Sequence, residues 1–293
     1  MSKFPYQPHK DILVQVAVCS VNSFLKINPF SVDLNEVNLA KINTVLENSI
    51  DSKFILFPEY TYSSELQELY RDYSNQNNCI IIGGSGLESF GTKYYAYAPV
   101  FIPNQDLIKV YKRRITPIET VLSGGKIIDY PDKVQRHIEV SISDETDVRI
   151  SVYVCYDFFV ENKTEQRSDI IFVPQYEPSP QSFISEAEKT SKGWDNFVLG
   201  ANNSNDNQRS VGFVPNLNDQ IINGLALREW RDERYPSDGR KNLDREHYRI
   251  SFDITGEKLI TFNLNVGNPV ADISTFSYVS NQPNFIPLNK IDL

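Results

Sequence analysis

The sequence predicts an α/β layered domain with helices over both outer faces of its sheets. Two stretches in which strands alternate with helices point to it, each centred on short buried apolar runs. No Gly/Ser-rich or Pro-rich linker and no internal repeat divides the chain, so a single domain is expected over residues 10–280, with 281–293 as a C-terminal tail. At 293 residues, with 40% hydrophobic and 12% aromatic content, the chain can bury a sizeable core.

Ile12 to Val18 is apolar and β-branched and reads as a buried strand. Asp33 then offers an N-cap, with Glu36 placed for a capping box, and Leu39, Ile42 and Leu46 give the following helix an inward face. Lys53 to Phe57 is a strand stopped by Pro58. Ser64 to Tyr73 is a helix with Leu66, Leu69 and Tyr70 on one side, and Cys79 to Ile82 is a strand closed by a Gly83-Gly84 turn. The pattern then changes to hairpins: Tyr94 to Ile102 with Leu107 to Tyr111, and Val140 to Ile142 with Val148 to Cys155. Ile170 to Val173 is a strand, Ser182 to Lys192 a helix, and Phe197 to Ala201 is extended again. Ser210 to Val214, Ile221 to Leu227 and Tyr248 to Ile254 are the last strands. Ser123 to Arg136 and the mixed-charge run Glu229 to Glu246 read as loops, and the segment after Pro269 as an aperiodic tail.

Several function classes are disfavoured. The formal charge is -9, from 29 Lys and Arg against 38 Asp and Glu, and a general nucleic-acid binder needs a basic face. Met1 to His9 has no apolar core of signal-peptide length, and nothing approaches the ~20 apolar residues of a membrane span. Cys19, Cys79 and Cys155 form no CxxC pair, so the cytoplasm is the expected compartment, and no disulfide framework or zinc ribbon is expected. His9, His137 and His247 lie outside any ligand motif, so no metal is expected. Gly83 to Gly86 matches neither a P-loop nor GxGxxG.

Three segments end apolar runs with a reactive residue: Phe57-Pro58-Glu59, Lys109-Val110-Tyr111-Lys112 and Val152-Tyr153-Val154-Cys155-Tyr156-Asp157. A carboxylate, an ammonium and a thiol are the parts needed to attack an amide or nitrile carbon through sulfur. Each residue also has a plainer reading. Cys155 could be an inert core thiol, Glu59 an exposed turn carboxylate, and Lys109 to Arg114 a solvated or phosphate-binding basic run. Position argues for chemistry: Cys155 ends a central strand, where ligands bind in α/β sheets, and a helix starting at Asp157 or Phe158 would favour a thiolate. Alternation puts Lys112 on the apolar face of its strand with Val110, where a lysine needs a carboxylate partner. Tyr60, Tyr62, Tyr156 and Phe158 adjoin these segments and could wall a pocket or simply pack the core.

Pro58-Glu59, Lys112-Arg113-Arg114-Ile115 and Cys155-Tyr156-Asp157 resemble, in order and spacing, the glutamate, lysine and cysteine motifs of the nitrilase superfamily of carbon–nitrogen hydrolases. Glu119, after Pro117, falls where many members carry a second glutamate, and Trp194-Asp195-Asn196 with Ala201-Asn202 resembles a later family segment. The resemblance implies a four-layer α-β-β-α sandwich, a homodimer or larger homo-oligomer, and no metal or organic cofactor. It implies catalysis by Glu59, Lys112, Cys155 and Glu119 on a small-molecule amide, carbamoyl compound or nitrile, with Tyr60, Tyr156, Asp157 and Gln175 as substrate-binding candidates. Arg114 stands where His is usual, Phe159-Val160-Glu161 replaces Phe-Pro-Glu, and the later segment is degraded. An acyltransferase with an amine acceptor and a catalytically silent, partner-binding scaffold are therefore the rival readings.

Overall fold

The structure, a computed structural model, describes residues 12–27, 30–143, 146–161, 168–177, 180–194, 196–204, 210–213, 250–266, 271–272, 277–278 and 285–293. The chain runs β1 (Leu13–Ser20), β2 (Leu25–Ile27), β3 (Phe30–Val32), α1 (Glu36–Glu47), β4 (Phe54–Leu56), then a 3-10 turn (Ser64–Leu66) and α2 (Gln67–Asn77). Next come β5 (Ile80–Ile82), β6 (Gly86–Phe90), β7 (Lys93–Phe101), β8 (Ile108–Tyr111), α3 (Pro117–Leu122), β9 (His137–Ser143), β10 (Thr146–Val152) and α4 (Asp157–Val160). β11 (Ile170–Pro174), α5 (Pro180–Trp194), β12 (Phe197–Ala201), β13 (Ser210–Phe213), β14 (Ile250–Ile254), β15 (Lys258–Asn265), β16 (Ala271–Asp272), β17 (Ser277–Tyr278) and β18 (Phe285–Asp292) complete it.

Two sheets organise these elements. The first has the order β18-β15-β1-β4-β5-β7-β6 with β8 on β7, and the second β14-β13-β12-β11-β10-β9. Each has a parallel centre, β1-β4-β5 in one and β10-β11-β12 in the other, and antiparallel flanks. One apolar core lies between the sheets: Val16, Phe54, Ile82 and Phe262 of the first meet Ile150, Phe172, Leu199 and Phe252 of the second. Phe54 and Phe172 touch across it, ring centroids 5.3 Å apart. The opposite face of the first sheet packs Ile55, Ile81 and Leu259 on Ile42, Val45 and Leu46 of α1 and Tyr70 of α2. The opposite face of the second packs Ile171, Val173 and Val198 on Phe183, Ile184 and Ala187 of α5. The packing is therefore helix, sheet, sheet, helix, and the near-continuous apolar runs of β4, β5 and β11 follow from being covered on both faces.

Both expected hairpins form, β7 with β8 and β9 with β10. The cap of α1 is corrected: Asn35 accepts the Asn38 N–H, while Asp33 is drawn into an ion pair with Lys26 (2.7 Å) and an N–H bond to the Phe24 carbonyl (2.7 Å). The tail is corrected too. Residues 285–292 form β18, paired with β15 from Lys258↔Asp292 to Leu264↔Phe285, and Pro287 is tolerated because the strand is an edge. Strands β2, β3, β6, β15, β16 and β17 and helix α3 have no counterpart among the elements expected from the sequence. Met1 to His9, Ile221 to Leu227, Glu229 to Glu246 and Asp195 lie outside the described residues. Among the described residues no helix is long and apolar enough to cross a membrane.

Candidate active site

β4 delivers Phe57, Pro58 and Glu59 at its carboxyl end. Thr61 Oγ1 donates to the Pro58 carbonyl (2.7 Å), and a Cβ on Gly84 would stand 2.2 Å from that oxygen, so the Gly83-Gly84 turn is required for the close approach. Tyr60 adopts φ 58°, held by its N–H on Ser85 Oγ (3.0 Å) and by the Phe24 N–H on its carbonyl (2.9 Å). Glu59 itself donates its N–H to the Gln175 carbonyl (3.2 Å), tying the first sheet to the second beside the carboxylate.

Lys112 follows β8, and its N–H bonds to the Ala96 carbonyl (2.8 Å). Val110 and Lys112 are both fully buried, as the strand alternation demanded. Lys112 Nζ donates to Glu59 Oε1 (2.9 Å) and to Glu119 Oε1 (2.6 Å). Glu119 comes from α3, an unexpected helix whose one available sequence signal is the capping-box pattern Thr116-Pro117-Ile118-Glu119. Its Oε2 accepts from Thr116 N and Thr116 Oγ1 (2.8 Å each), closing a capping box. Tyr60 Oη donates to Glu119 Oε1 as well, so this tyrosine, expected to bind substrate, is spent on the second glutamate.

Cys155 lies just past β10, with φ 48° and its N–H on the Pro174 carbonyl (2.9 Å). It is buried and interacts with both Glu59 and Lys112, and the Tyr176 N–H donates toward its sulfur. Burial first, then the Glu59 charge, hold the thiol well above its ordinary value against the pull of Lys112. Burial pushes Glu59 up to about 7, with Lys112 opposing and Glu119 adding to the rise. Burial alone would lower Lys112, yet the surrounding thiol and carboxylates keep it well above its usual range. Burial would likewise raise Glu119, but Lys112 overrides it and holds that carboxyl below the usual value. Glu59 Oε2 is buried without a closed hydrogen bond among the described residues. The thiol beside it nevertheless helps keep the carboxyl ionised.

Three further expectations are refined. Asp157 is fully buried and accepts from Arg113 N (2.8 Å), Arg114 N (2.9 Å) and Arg136 Nη2 (2.7 Å). It thus clamps the chain just after Lys112 to the chain just after Cys155, rather than facing a substrate. Arg136, read only as the end of a loop, had no signal that would have singled it out. The Gln175 side chain is buried on the α5 side of its sheet, its Oε1 near the Gly200 position under Phe183 and both its amide atoms without a partner among the described residues, while its backbone carbonyl takes the Glu59 N–H. Tyr156 is 37% exposed at the start of α4. That helix is a single turn, so its dipole adds little and the Lys112 charge is what opposes the Cys155 shift. Among the described residues no group of three or more His, Cys, Asp or Glu could hold a metal ion.

No family model matches the sequence, and no curated protein matches it. Solved structures do match in fold. XC1258 from Xanthomonas campestris, a CN-hydrolase superfamily protein with an arsenic adduct in its active site, has 13% identity over 86% of this chain and 90% of its own, at TM-score 0.58. Nit3 from Saccharomyces cerevisiae, of branch 10 of the nitrilase superfamily, has 15% identity over 88% and 91%, at TM-score 0.56. A cysteine-to-serine mutant of the amidase from Nesterenkonia AN1, also of that superfamily, has 11% identity over 69% and 84%, at TM-score 0.52. With its two facing sheets and helices outside both, this chain has the fold of the nitrilase, or carbon–nitrogen hydrolase, superfamily.

Proposed function

We propose that the chain is a cysteine-dependent hydrolase of a non-peptide carbon–nitrogen bond in a small molecule, acting through a thioester. The observation that carries this reading is the buried cluster itself: Lys112 between Glu59 and Glu119, with the Cys155 thiol against Glu59. The structural neighbours support it. In a glutamate-to-glutamine mutant of the Nesterenkonia amidase the acetamide moiety of fluoroacetamide is added covalently at the active-site cysteine.

The electrostatics favour a protonated thiol beside a partly ionised carboxylate, so Glu59 acts as general base during attack rather than before it. As the thiol proton passes to Glu59, sulfur bonds to the amide carbon and the carbonyl electron pair moves onto oxygen. Lys112 and backbone N–H groups near Cys155, the Tyr176 N–H among them, stabilise that oxyanion, at about 3 kcal/mol per good donor. The pair returns, the carbon–nitrogen bond breaks, and protonated Glu59 gives its proton to the leaving amine. Glu59 then takes a proton from water, whose oxygen attacks the thioester, and returns that proton to the Cys155 sulfur as the carbon–sulfur bond breaks and the acid leaves. Glu119 keeps Lys112 aimed throughout, itself fixed by Thr116 and Tyr60.

The test is a panel of small amides, carbamoyl compounds and nitriles, with intact-mass detection of an acyl adduct on Cys155. Cys155→Ala and Glu59→Gln should each lower kcat by about four orders of magnitude while the chain stays folded. Turnover surviving in Cys155→Ala would remove the thioester mechanism.

A further inference from the structure

We infer that Asn203 is a recognition residue for a second, neutral amide group on the substrate, an inference that rests on the hydrolase reading above. Two adjacent asparagines end β12, and they are in opposite states. Asn202 is paired at both ends: its Oδ1 accepts the N–H groups of Glu177 (3.0 Å) and Asn203 (2.9 Å), and its Nδ2 donates to the Glu177 carbonyl (3.0 Å). Asn203 is 0% exposed, and neither its Oδ1 nor its Nδ2 has a partner among the described residues. Buried amides are ordinarily paired, because an unpaired one keeps its full desolvation cost. Asn202 explains its own burial by holding two strands together; Asn203 does not.

Its place in the fold says what would pair it. β11 and β12 run in parallel register from Ile170↔Phe197 to Pro174↔Ala201, and the Gln175 N–H still bonds to the Ala201 carbonyl (2.8 Å). Continuing that register sets Asn203 beside Tyr176. The Tyr176 ring packs edge-on against Tyr60 (5.8 Å), and its N–H reaches toward the Cys155 sulfur. From the other side, Ser20 Oγ donates to the Asn202 carbonyl (3.2 Å) and the Ser204 N–H to the Val21 carbonyl (3.3 Å). These bonds hold residues 202–204 at the carboxyl end of β1, next to the strand that delivers Glu59. Asn203 therefore sits where the carboxyl ends of both sheets converge, the crevice in which α/β sheets bind ligands.

The chemistry of the partner follows from Asn203 and the charges around it. An amide side chain with both its donor and its acceptor open is matched by a group offering one of each, as a primary carboxamide does. A carboxylate would leave Oδ1 unpaired. It would also add a third negative charge around Lys112, which is already shared by Glu59 and Glu119. The substrate class is therefore a small dicarboxamide, one amide reacting at Cys155 and the other read by Asn203.

The test uses the full chain as Cys155→Ala, so that binding is measured without turnover. Calorimetric titration compares malonamide and succinamide with isovaleramide and isocaproamide, the monoamides of matching shape. At least one dicarboxamide should bind about tenfold or more tightly than its monoamide, as expected of a site built to hydrogen-bond a substrate group. Adding Asn203→Leu should erase the preference. Asn203→Asp, which keeps the shape, should also lose it and serves if the leucine variant does not fold. Equal affinities, no binding of either dicarboxamide, or a preference that persists in both variants would overturn the inference. Cys155 of the unmodified chain, examined by mass, separates the two claims. An Asn203-dependent preference with no acyl adduct keeps the recognition and removes the hydrolase, whereas an adduct without the preference does the reverse.

Discussion

The space between the sheets and the carboxyl ends of the same strands are equally buried and obey different rules. Between the sheets, Val16, Phe54, Ile150, Phe172, Leu199 and Phe262 are all 0% exposed and carry nothing but hydrocarbon. One to four residues beyond the ends of β4, β8 and β10, Glu59 and Lys112 are also 0% exposed, and Cys155 and Tyr60 are held at positive φ. Burial alone therefore predicts little. The core depends on filled volume, the site on every charge having its partner, and substitutions that treat the two alike should expose the difference.

The largest contrast is expected from two swaps to methionine. In the core, Leu199→Met conserves volume and should cost less than about 1.5 kcal/mol. At the site, Lys112→Met also keeps an unbranched side chain of similar length. It should nevertheless cost about 3–5 kcal/mol, because it leaves Glu59 and Glu119 buried against each other with no cation between them. It should abolish turnover as well. Urea unfolding of both variants at neutral pH measures the gap, and comparable losses would mean that the lysine is held by packing rather than by charge.

A smaller effect, confined to the site, comes from pH. Glu59 has a folded value near 7, above its ordinary 4.5, so the native chain binds more protons than the unfolded chain between those values. Stability from this group is full below the unfolded value and is lost as pH rises through 7, by about 3 kcal/mol in all. Glu119 works the other way: its lowered value gives stability that is lost only as pH falls. Glu59→Gln cannot ionise and mimics the protonated carboxyl, so it should gain stability relative to wild type as pH rises from 5 to 8. Activity runs opposite to this stability, since Glu59 must be ionised to accept the thiol proton, and kcat/KM should climb as pH passes about 7. A pH-independent stability difference between the two proteins would remove Glu59 as the titrating group.

Legibility in the sequence divides along the same line. The core strands were readable because a strand covered on both faces must be continuously apolar, as Phe54–Leu56, Ile80–Ile82 and Ile170–Pro174 are. Edge and flanking strands were not. The β18 segment mixes Pro287, Asn289 and Lys290 into its pattern, and its identity as a strand depends on β15 being there to pair with it. At the site, residues standing at the ends of apolar runs were readable: Glu59, Lys112 and Cys155. The groups that hold them were obscured, because Tyr60 on Glu119 and Arg136 on Asp157 are partners chosen across 59 and 21 residues of sequence. The paired Asn202 and the open Asn203 are identical as letters and differ only in what surrounds them.

The smallest prediction concerns one backbone shape used for two purposes. Left-handed conformation costs a side-chain-bearing residue about 1–2 kcal/mol, more tolerably for asparagine than for a tyrosine or cysteine. Asn78 adopts it at φ 49° and ψ 43°, exposed at the end of α2. Tyr60 and Cys155 adopt it at φ 58° and 48° inside the site, where their backbone bonds to Ser85 and Pro174 over-determine it. If the conformation at Asn78 serves only to stop a helix, Asn78→Gly should raise stability by about 0.5 kcal/mol, or roughly 1–2 °C in Tm, with turnover unchanged. At Tyr60 the same relief should cost the Glu119 hydrogen bond and with it the aim of Lys112. Thermal unfolding and kcat of Asn78→Gly and Tyr60→Gly, measured side by side, separate strain tolerated by a turn from strain retained by a reactive site. A loss of activity in Asn78→Gly would show that the distinction does not hold.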